Sequence, residues 1–424
     1  MLDINFIKKN PRLVKDDIKK RFKNEKLHLV DDVIKNHNEW LNLKQKAEQL
    51  RAKRNTISKE INDLKKAGKD VSKLIKEAKE IPDQIKELEE KQNQLNEKIK
   101  KDLLEIPNIT HKSVPIGKDE TQNKVIKKWG KIPKFKFPIK NHVELVENLK
   151  IANFDQSAKM TGTGFYVLKK ELALLNQALI KFAIDSLVKK GYIYVEPPLM
   201  IKRKITTAAT DFETFKDTIY TIEGETLDLI PTAEYAILGL HDNETIKEED
   251  LPLKYVSYTM CFRKEIGSHG INEKGLWRTH QFNKVEQFIF CKPEDSYKYY
   301  NELLKNTELL FQKLKIPYRI LEFCSGDLSI WKSKSCDLEA WRPTLNSYGE
   351  VASLSNCTDY QARKLGTKVL RRDGKKEILH TLNDTAIATS RAMVAILENN
   401  QQKDGSIKIP QVLQKYCGFK KIEK

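Results

Sequence analysis

The densest group of residues able to do chemistry lies between positions 262 and 288. Phe262-Arg-Lys-Glu-Ile-Gly267 and Gly275-Leu-Trp-Arg-Thr-His-Gln-Phe-Asn-Lys-Val-Glu-Gln-Phe288 read as two strands around a flexible loop that holds Gly267, Gly270 and Gly275. Arg263 and Arg278 bracket that loop, and Glu265 and Glu286 lie on the strands. A guanidinium group forks onto phosphate or carboxylate. A carboxylate accepts from an amine or a hydroxyl. An aromatic such as Phe282 offers a face on which a base can stack. These are the parts required to hold a nucleotide beside an amino acid. Spacing alone leaves open the alternative of a surface hairpin whose charges are merely solvated.

The elements that must position such a group differ along the chain. Residues 1 to about 26 read as a small helical head, with Asn10-Pro11 as a helix start. Trp40, Leu43, Ala47, Leu50, Arg54, Ile57, Ile61 and Leu64 then recur by threes and fours. Val71, Leu74, Ala78, Ile81, Ile85, Leu88, Gln92, Leu95 and Ile99 do the same. Two matched heptad series around a short Gly-containing break (66–70) predict an antiparallel coiled-coil hairpin, an arm of roughly 50 to 60 Å. The predicted division is 1–104 for head and arm, 105–140 for a Pro- and Gly-marked linker, and 141–424 for a catalytic domain. In that last part, Leu172–Lys190 reads as a helix closed by Gly191, Tyr192–Val195 and Val285–Phe290 as strands, and Ala386–Asn399 as helical. Strands mixed with helices, without regular βαβ alternation, predict an α+β domain on a largely antiparallel sheet.

Composition bounds the function. Of the 424 residues, 39% are hydrophobic and 32% charged, and Lys+Arg outnumber Asp+Glu by 77 to 59, a net +18. That surplus suggests a polyanionic partner such as nucleic acid, although codon bias toward Lys, Asn and Ile would also raise it. The six cysteines form no CxxC pair, so they read as free thiols of a reducing compartment and no zinc site is expected. The start contains acid and no apolar run, so neither a signal nor a transit peptide is expected. No stretch reaches the roughly 18 apolar residues of a membrane span.

The segment 262–288 resembles motif 2 of class II aminoacyl-tRNA synthetases in the seryl form. Asn383-Asp-Thr-Ala-Ile-Ala-Thr-Ser-Arg391 resembles motif 3. Gly191-Tyr-Ile-Tyr-Val-Glu-Pro-Pro-Leu-Met200 resembles motif 1, the dimer element, with Pro198 as its key proline. Pro231-Thr-Ala-Glu234 is similar to the family's serine-binding loop, and Gly349-Glu-Val-Ala-Ser-Leu-Ser-Asn356 to its ATP and magnesium strand. With the head and arm, the resemblance covers nearly the whole chain. It is to the common non-zinc type, and the wording near Asp337 and Ser355 is similar to the archaeal branch.

The resemblance implies a serine–tRNA ligase: activation of L-serine with ATP and Mg²⁺, then transfer to tRNA(Ser), with tRNA(Sec) a further acceptor. It implies a cytoplasmic homodimer whose arm grips tRNA for the partner's active site, with no membrane partner. Thr232, Ala233 and Glu234 would seat the serine ammonium, and Glu286, Asn383 and Thr385 would surround its hydroxyl. Arg263 would bridge the serine carboxylate and the α-phosphate. Glu265, beside Lys264, would take the adenine amino group. Phe282 would stack on adenine, Thr279 would lie along the nucleotide, and Arg278 would aid the phosphates. Glu350 and Ser353 would hold Mg²⁺, with Val351 and Ala352 between them, and Arg391 would reach the γ-phosphate.

Taken singly, these residues have plainer readings. Phe282 alone is more often core, Glu234 or Glu350 a solvated carboxylate, and Thr385 a helix cap. Arg391 at a helix start reads as a surface residue, although a cation there opposes the macrodipole. Only the ordered set overturns those readings. Three departures stand out: Asp384 between two serine-pocket positions, Pro82 within the second arm helix, and Arg54 at a seam position. Lys44, Lys46, Arg51, Lys53 and Arg54 are candidate tRNA-phosphate contacts. Two rivals are a relative that loads a carrier protein, which would lack the arm, and a non-catalytic paralogue that binds RNA, which would lose motif residues.

Overall fold

The computed structural model describes residues 1–266 and 274–424; Gly267 and Gly270 of the expected loop lie outside the described residues. The chain divides into two compact units, 1–107 and 108–424.

In the first unit, α1 (Ile4–Lys9) is capped by Asp3, whose side chain accepts from the N–H groups of Asn5 and Phe6. Helix α2 (Pro11–Lys20) begins on Pro11, where the missing N–H would have had no partner anyway. The arm is α3 (Leu27–Lys66) and α4 (Ser72–Glu105). Gly68, at φ +68°, takes the left-handed turn between them. The seam follows the heptads: Ala47, Ile57, Ile81, Ile85 and Ile99 are buried, and Leu50, Ile61, Leu74 and Ala78 pack on the Ile57–Ile81–Ile85 cluster. Pro82 does not end its helix, which is assigned without a break from Ser72 to Glu105. Pro82 lies on the exposed side, while Ile81 and Ile85 keep the seam closed around it. Arg54 is exposed rather than in the seam, because a guanidinium there would lose its hydration. Arg51 and Lys53 pair with Glu89 and Glu77 across the hairpin. Lys44 sits 5.4 Å from the Trp40 ring centre.

The second unit is built on one large sheet. Its main elements are β1 (Lys124–Trp129), α5 (His142–Asn148), α6 (Lys170–Val188), β2 (Ile193–Val195), α7 (Ala233–Leu240), β3 (Leu253–Phe262), β4 (Gln281–Cys291), α8 (Ser296–Leu314), β5 (Tyr318–Glu322), β6 (Lys334–Arg342), β7 (Ser347–Thr358), β8 (His380–Ala388) and α9 (Thr389–Asn400). Among the described residues this sheet has eight strands, in the order β1-β5-β6-β7-β8-β4-β3-β2. Every neighbouring pair is antiparallel except β2 with β3. This is the expected α+β architecture. Helices α6, α8 and α9 bury Leu172, Phe182, Leu303, Phe311, Met393 and Ile396 in one core with Val285, Ile289 and Leu354 from the sheet.

Two local expectations change. Residues 105–140 are not a plain linker, because Lys124–Trp129 pairs with Tyr318–Glu322 and forms the sheet's edge. Helix α9 starts at Thr389 rather than at Ala386. Ile387 and Ala388 still pair with Val285 and Lys284 of β4, so ladder bonds win over helical spacing in that short apolar run. All six cysteines are free and buried.

Candidate active site

A cleft of about 430 Å³ lies in the catalytic unit, with β4, β7 and β8 supplying much of its lining. Side chains two apart on a strand share a face. Phe282, Lys284 and Glu286 therefore project together from β4, and Asn383 and Thr385 from β8, where Thr385 stands opposite Glu286.

One end of the cleft is acidic. Glu286 Oε2 lies 2.5 Å from Lys284 Nζ, and both side chains are buried. The same oxygen accepts from Thr232 Oγ1 at 3.3 Å and Thr385 Oγ1 at 3.5 Å. Glu234 Oε1 accepts from Gln361 Nε2 at 2.7 Å and Asn383 Nδ2 at 2.9 Å. Burial, with the nearby Glu286 charge, pushes the Glu234 carboxyl up to about 7. Thr232 is the N-cap of α7, which aims the start of that helix at this end.

A pH prediction follows from Glu234. A carboxyl raised to about 7 is mostly neutral below that pH and ionised above it, and only the ionised form pairs with an ammonium group. In steady-state exchange kinetics, kcat/KM for serine is expected to rise with pH up to about 7 and then level off. Glu234→Gln should remove that limb. A flat wild-type profile across this range would refute the reading of Glu234.

The other end is basic and aromatic. Arg263 Nε donates to the Pro231 carbonyl at 3.2 Å, and its guanidinium sits 5.2 Å from the Phe282 ring centre. Glu265 takes a left-handed backbone, φ +51°, and accepts from Arg278 Nη1 at 3.3 Å. Thr279 donates to the Gln281 carbonyl. Arg391, in the first turn of α9, lies 3.1 Å from Glu350 Oε2 and donates to the Glu350 carbonyl at 3.0 Å. The Arg391 charge holds the Glu350 carboxyl below its usual range.

Beside Glu350, Val351, Ala352 and Ser353 continue the wall. Ser353 stands opposite Asp337 on β6, and Asp337 Oδ1 is a buried oxygen with no hydrogen-bond partner among the described residues. Glu350 and Ser353 offer hard oxygen donors of the kind Mg²⁺ takes when phosphates supply most of its other ligands. Among the described residues no three His, Cys, Asp or Glu side chains converge as a metal site, and Mg²⁺ needs only one or two protein oxygens beside the phosphates.

The cleft thus brings together all but two of the expected residues. Ala233 is fully buried in the first turn of α7 rather than lining the cleft. Lys264 also lies outside the lining, with its ammonium 5.7 Å from the Tyr220 ring centre. Lys284 and Trp277, not foreseen from the sequence, line the cleft. The signal for Lys284 was available: it lies two residues before Glu286 on the same strand face.

Asp384 faces away from the cleft. Its Oδ2 accepts from Thr307 Oγ1 at 2.6 Å and Gln287 Nε2 at 3.0 Å, between the sheet and α8. Burial raises this carboxyl well above the ordinary range. Asp384→Asn, which keeps the shape and an oxygen acceptor, is expected to cost less than about 1 kcal/mol. Asp384→Ala should cost about 1 to 3 kcal/mol in thermal unfolding, because it removes the shared acceptor of two buried bonds and leaves a gap between the sheet and α8. Both should keep the serine KM within about twofold, since they act on stability and not on binding. A serine KM that moves with either change would place Asp384 in the pocket after all.

Comparison with known proteins bears on the same two units. The model of the seryl-tRNA synthetase N-terminal domain matches residues 1–110, and that of the class II tRNA synthetase core domain (G, H, P, S and T) matches residues 215–400. The serine–tRNA ligase of Pyrococcus furiosus is 47% identical over all of this chain and 97% of its own length. That of Methanocella arvoryzae is 48% identical over 98% of each. This chain belongs to the seryl-tRNA synthetase family. Two solved members share its architecture. The seryl-tRNA synthetase from Pyrococcus horikoshii, complexed with ATP, superposes with a TM-score of 0.94 at 45% identity, covering 100% of this chain and 99% of that one. The cytoplasmic serine–tRNA ligase from Naegleria fowleri, in complex with AMP, gives 0.89 at 32% identity with the same coverage. The higher identities to the archaeal synthetases agree with the archaeal wording of the motifs.

Proposed function

We propose that this enzyme activates L-serine with ATP to seryl-adenylate and transfers the seryl group to tRNA(Ser), with tRNA(Sec) a further acceptor. The observation that carries this reading is one cleft with a buried acidic end, Glu234 and Glu286, and an arginine-lined end, Arg263 and Arg391. Serine places its ammonium at Glu234, between Thr232 and Asn383. Its hydroxyl donates to Glu286, beside Thr385. Arg263 takes the serine carboxylate together with the α-phosphate. Adenine stacks on Phe282, with its amino group toward Glu265 in the 263–265 segment. Thr279 lies along the nucleotide, and Arg278 and Arg391 take phosphate charge.

The serine carboxylate oxygen attacks the α-phosphorus, the bond to the bridging oxygen breaks, and pyrophosphate leaves. In the second step a ribose hydroxyl at the tRNA terminus attacks the seryl carbonyl and AMP leaves. No covalent enzyme intermediate is required, so positioning and preorganised charge supply the catalysis. Glu350 and Ser353, on the strand that includes Val351 and Ala352, would hold Mg²⁺, which supplies neutralising charge to the phosphates. Rejection of alanine rests on buried groups that only a hydroxyl satisfies.

The same reading makes the enzyme a cytoplasmic homodimer. Ile193, Tyr194 and Met200, in and beside edge strand β2, are exposed apolar side chains, as expected of a dimer face. No described helix is long and apolar enough to cross a membrane. The arm would grip tRNA through phosphates and shape, serving the partner's active site.

ATP–pyrophosphate exchange with each amino acid in turn, followed by charging of tRNA(Ser), tests the activity. Exchange is expected with serine, weakly with threonine and not with alanine. Folded dimer that exchanges with no amino acid would overturn the reading and leave an RNA-binding paralogue.

A further inference from the structure

We propose that His142, Glu398 and Arg342 form a buried relay that positions the phosphate-side wall of the cleft, acting through Trp277 and Arg391. The inference rests on the assignment of Arg391 and Glu350 to ATP. None of the three residues lines the cleft, so they are positioning residues and not catalytic ones.

Glu398 lies on α9, two turns beyond Arg391 and so on the same helix face. It is fully buried. Its carboxylate accepts two bonds from Arg342, Nη2 to Oε1 at 2.8 Å and Nε to Oε2 at 3.3 Å. His142 Nδ1 lies 3.2 Å from the same Oε1. Burial opposes ionisation here, but the bonds from His142 and Arg342 hold the carboxyl below its usual range.

The other side of the imidazole is tied to the backbone. His142 Nε2 lies 3.2 Å from the backbone nitrogen of Leu276, whose N–H donates to it. With Nε2 as acceptor, Nδ1 is the ring nitrogen that donates to Glu398. A Cβ on Gly275 would stand 2.6 Å from Nε2, so the ring fits only because that residue is glycine. Backbone and ring together fix the chain just before Trp277 and Arg278.

Arg342 connects the relay to the indole. Its guanidinium lies 4.2 Å from the Trp277 ring centre. A Cβ on Gly349 would stand 2.6 Å from the same ring, so the indole is also held against β7 just before Glu350. Arg391 sits 5.4 Å from that ring centre, donates to the Trp277 carbonyl at 3.4 Å, and pairs with Glu350. Trp277 is therefore shared: its far side is set by buried groups, and its near side sets the cation expected to meet the outer phosphates.

The test compares full-length wild-type enzyme with Glu398→Gln, Arg342→Lys and Gly275→Ala. Arg342→Lys keeps the charge but loses the planar stack. Gly275→Ala removes none of the three buried side chains: its Cβ presses on the His142 ring and strains a backbone held at φ +153°, and because it leaves no buried charge unpaired it keeps the test valid if a buried-charge variant fails to fold. Each folded variant is expected to raise the KM for ATP by about tenfold while the KM for serine stays within about twofold. Calorimetry should show weakened binding of ATP and unchanged binding of AMP, which lacks the outer phosphates. Folded variants that weaken ATP and AMP alike, that move both KM values together, or that move neither, would overturn the relay. If wild-type enzyme itself showed no serine-dependent exchange, the proposed function would fall instead.

Discussion

Glu286→Gln is expected to lower kcat/KM for serine in pyrophosphate exchange by about 10³-fold or more, or about 4 kcal/mol. The reason lies in what one oxygen does. Oε2 of Glu286 meets the Lys284 ammonium and two threonine hydroxyls, and both charged side chains are buried. An amide of the same shape offers less charge to a serine hydroxyl and leaves Lys284 as a buried cation without its counter-charge, the costly half of a broken buried pair. The damage should be local to serine. The KM for ATP should stay within about threefold, because the arginines and Phe282 at the other end keep their neighbours. A loss smaller than about tenfold, or an equal loss on the ATP side, would show that Glu286 is not the hydroxyl's partner.

Arg263→Lys should be nearly as damaging, although it conserves charge. We expect kcat for exchange to fall by about 10²- to 10³-fold with modest changes in either KM. Arg263 is oriented by its bond to the Pro231 carbonyl and by the Phe282 ring, which leaves the fork free to face two substrates together. A lysine brings one point charge and cannot bridge a carboxylate and a phosphate as negative charge builds between them. Single-turnover measurement of adenylate formation separates this from slow product release. If only KM values rose while kcat held, Arg263 would serve binding alone.

Much of this site was legible in the sequence because its motifs, taken in order, resemble those of a known family, whereas spacing alone left a solvated hairpin open. Strand alternation is the physical reason those motifs work: Phe282 and Glu286 share a face of β4, and Asn383 and Thr385 a face of β8. Lys284 obeys the same alternation, yet a lysine is so rarely buried that its type argued against its position. Its burial depends on Glu286, and a charge pair is recognisable only once both side chains are seen facing inward. Trp277 was hidden for another reason: what holds it comes from Arg342 and Gly349, far along the chain. The edge strand Lys124–Trp129 carries so many lysines that its pairing with Tyr318–Glu322 left no alternating pattern to read. Pro82 shows the converse. A proline there removes a ladder bond and argues for a kink, yet the helix runs on through it with Ile81 and Ile85 in the seam on either side.

The alternation of Asn383, Asp384 and Thr385 also limits how such an enzyme can diverge over time. Neighbouring residues on β8 serve opposite clients: two line the cleft, and the one between them is tied to Thr307 and Gln287 under α8. Gaining or losing one codon in this strand would exchange those faces at a stroke. It would turn Asp384 toward the cleft and bury two polar groups among partners chosen for another. Lineages can therefore explore this stretch by replacement but not by changing its length, and the freedom to insert and delete falls to the turns outside the sheet.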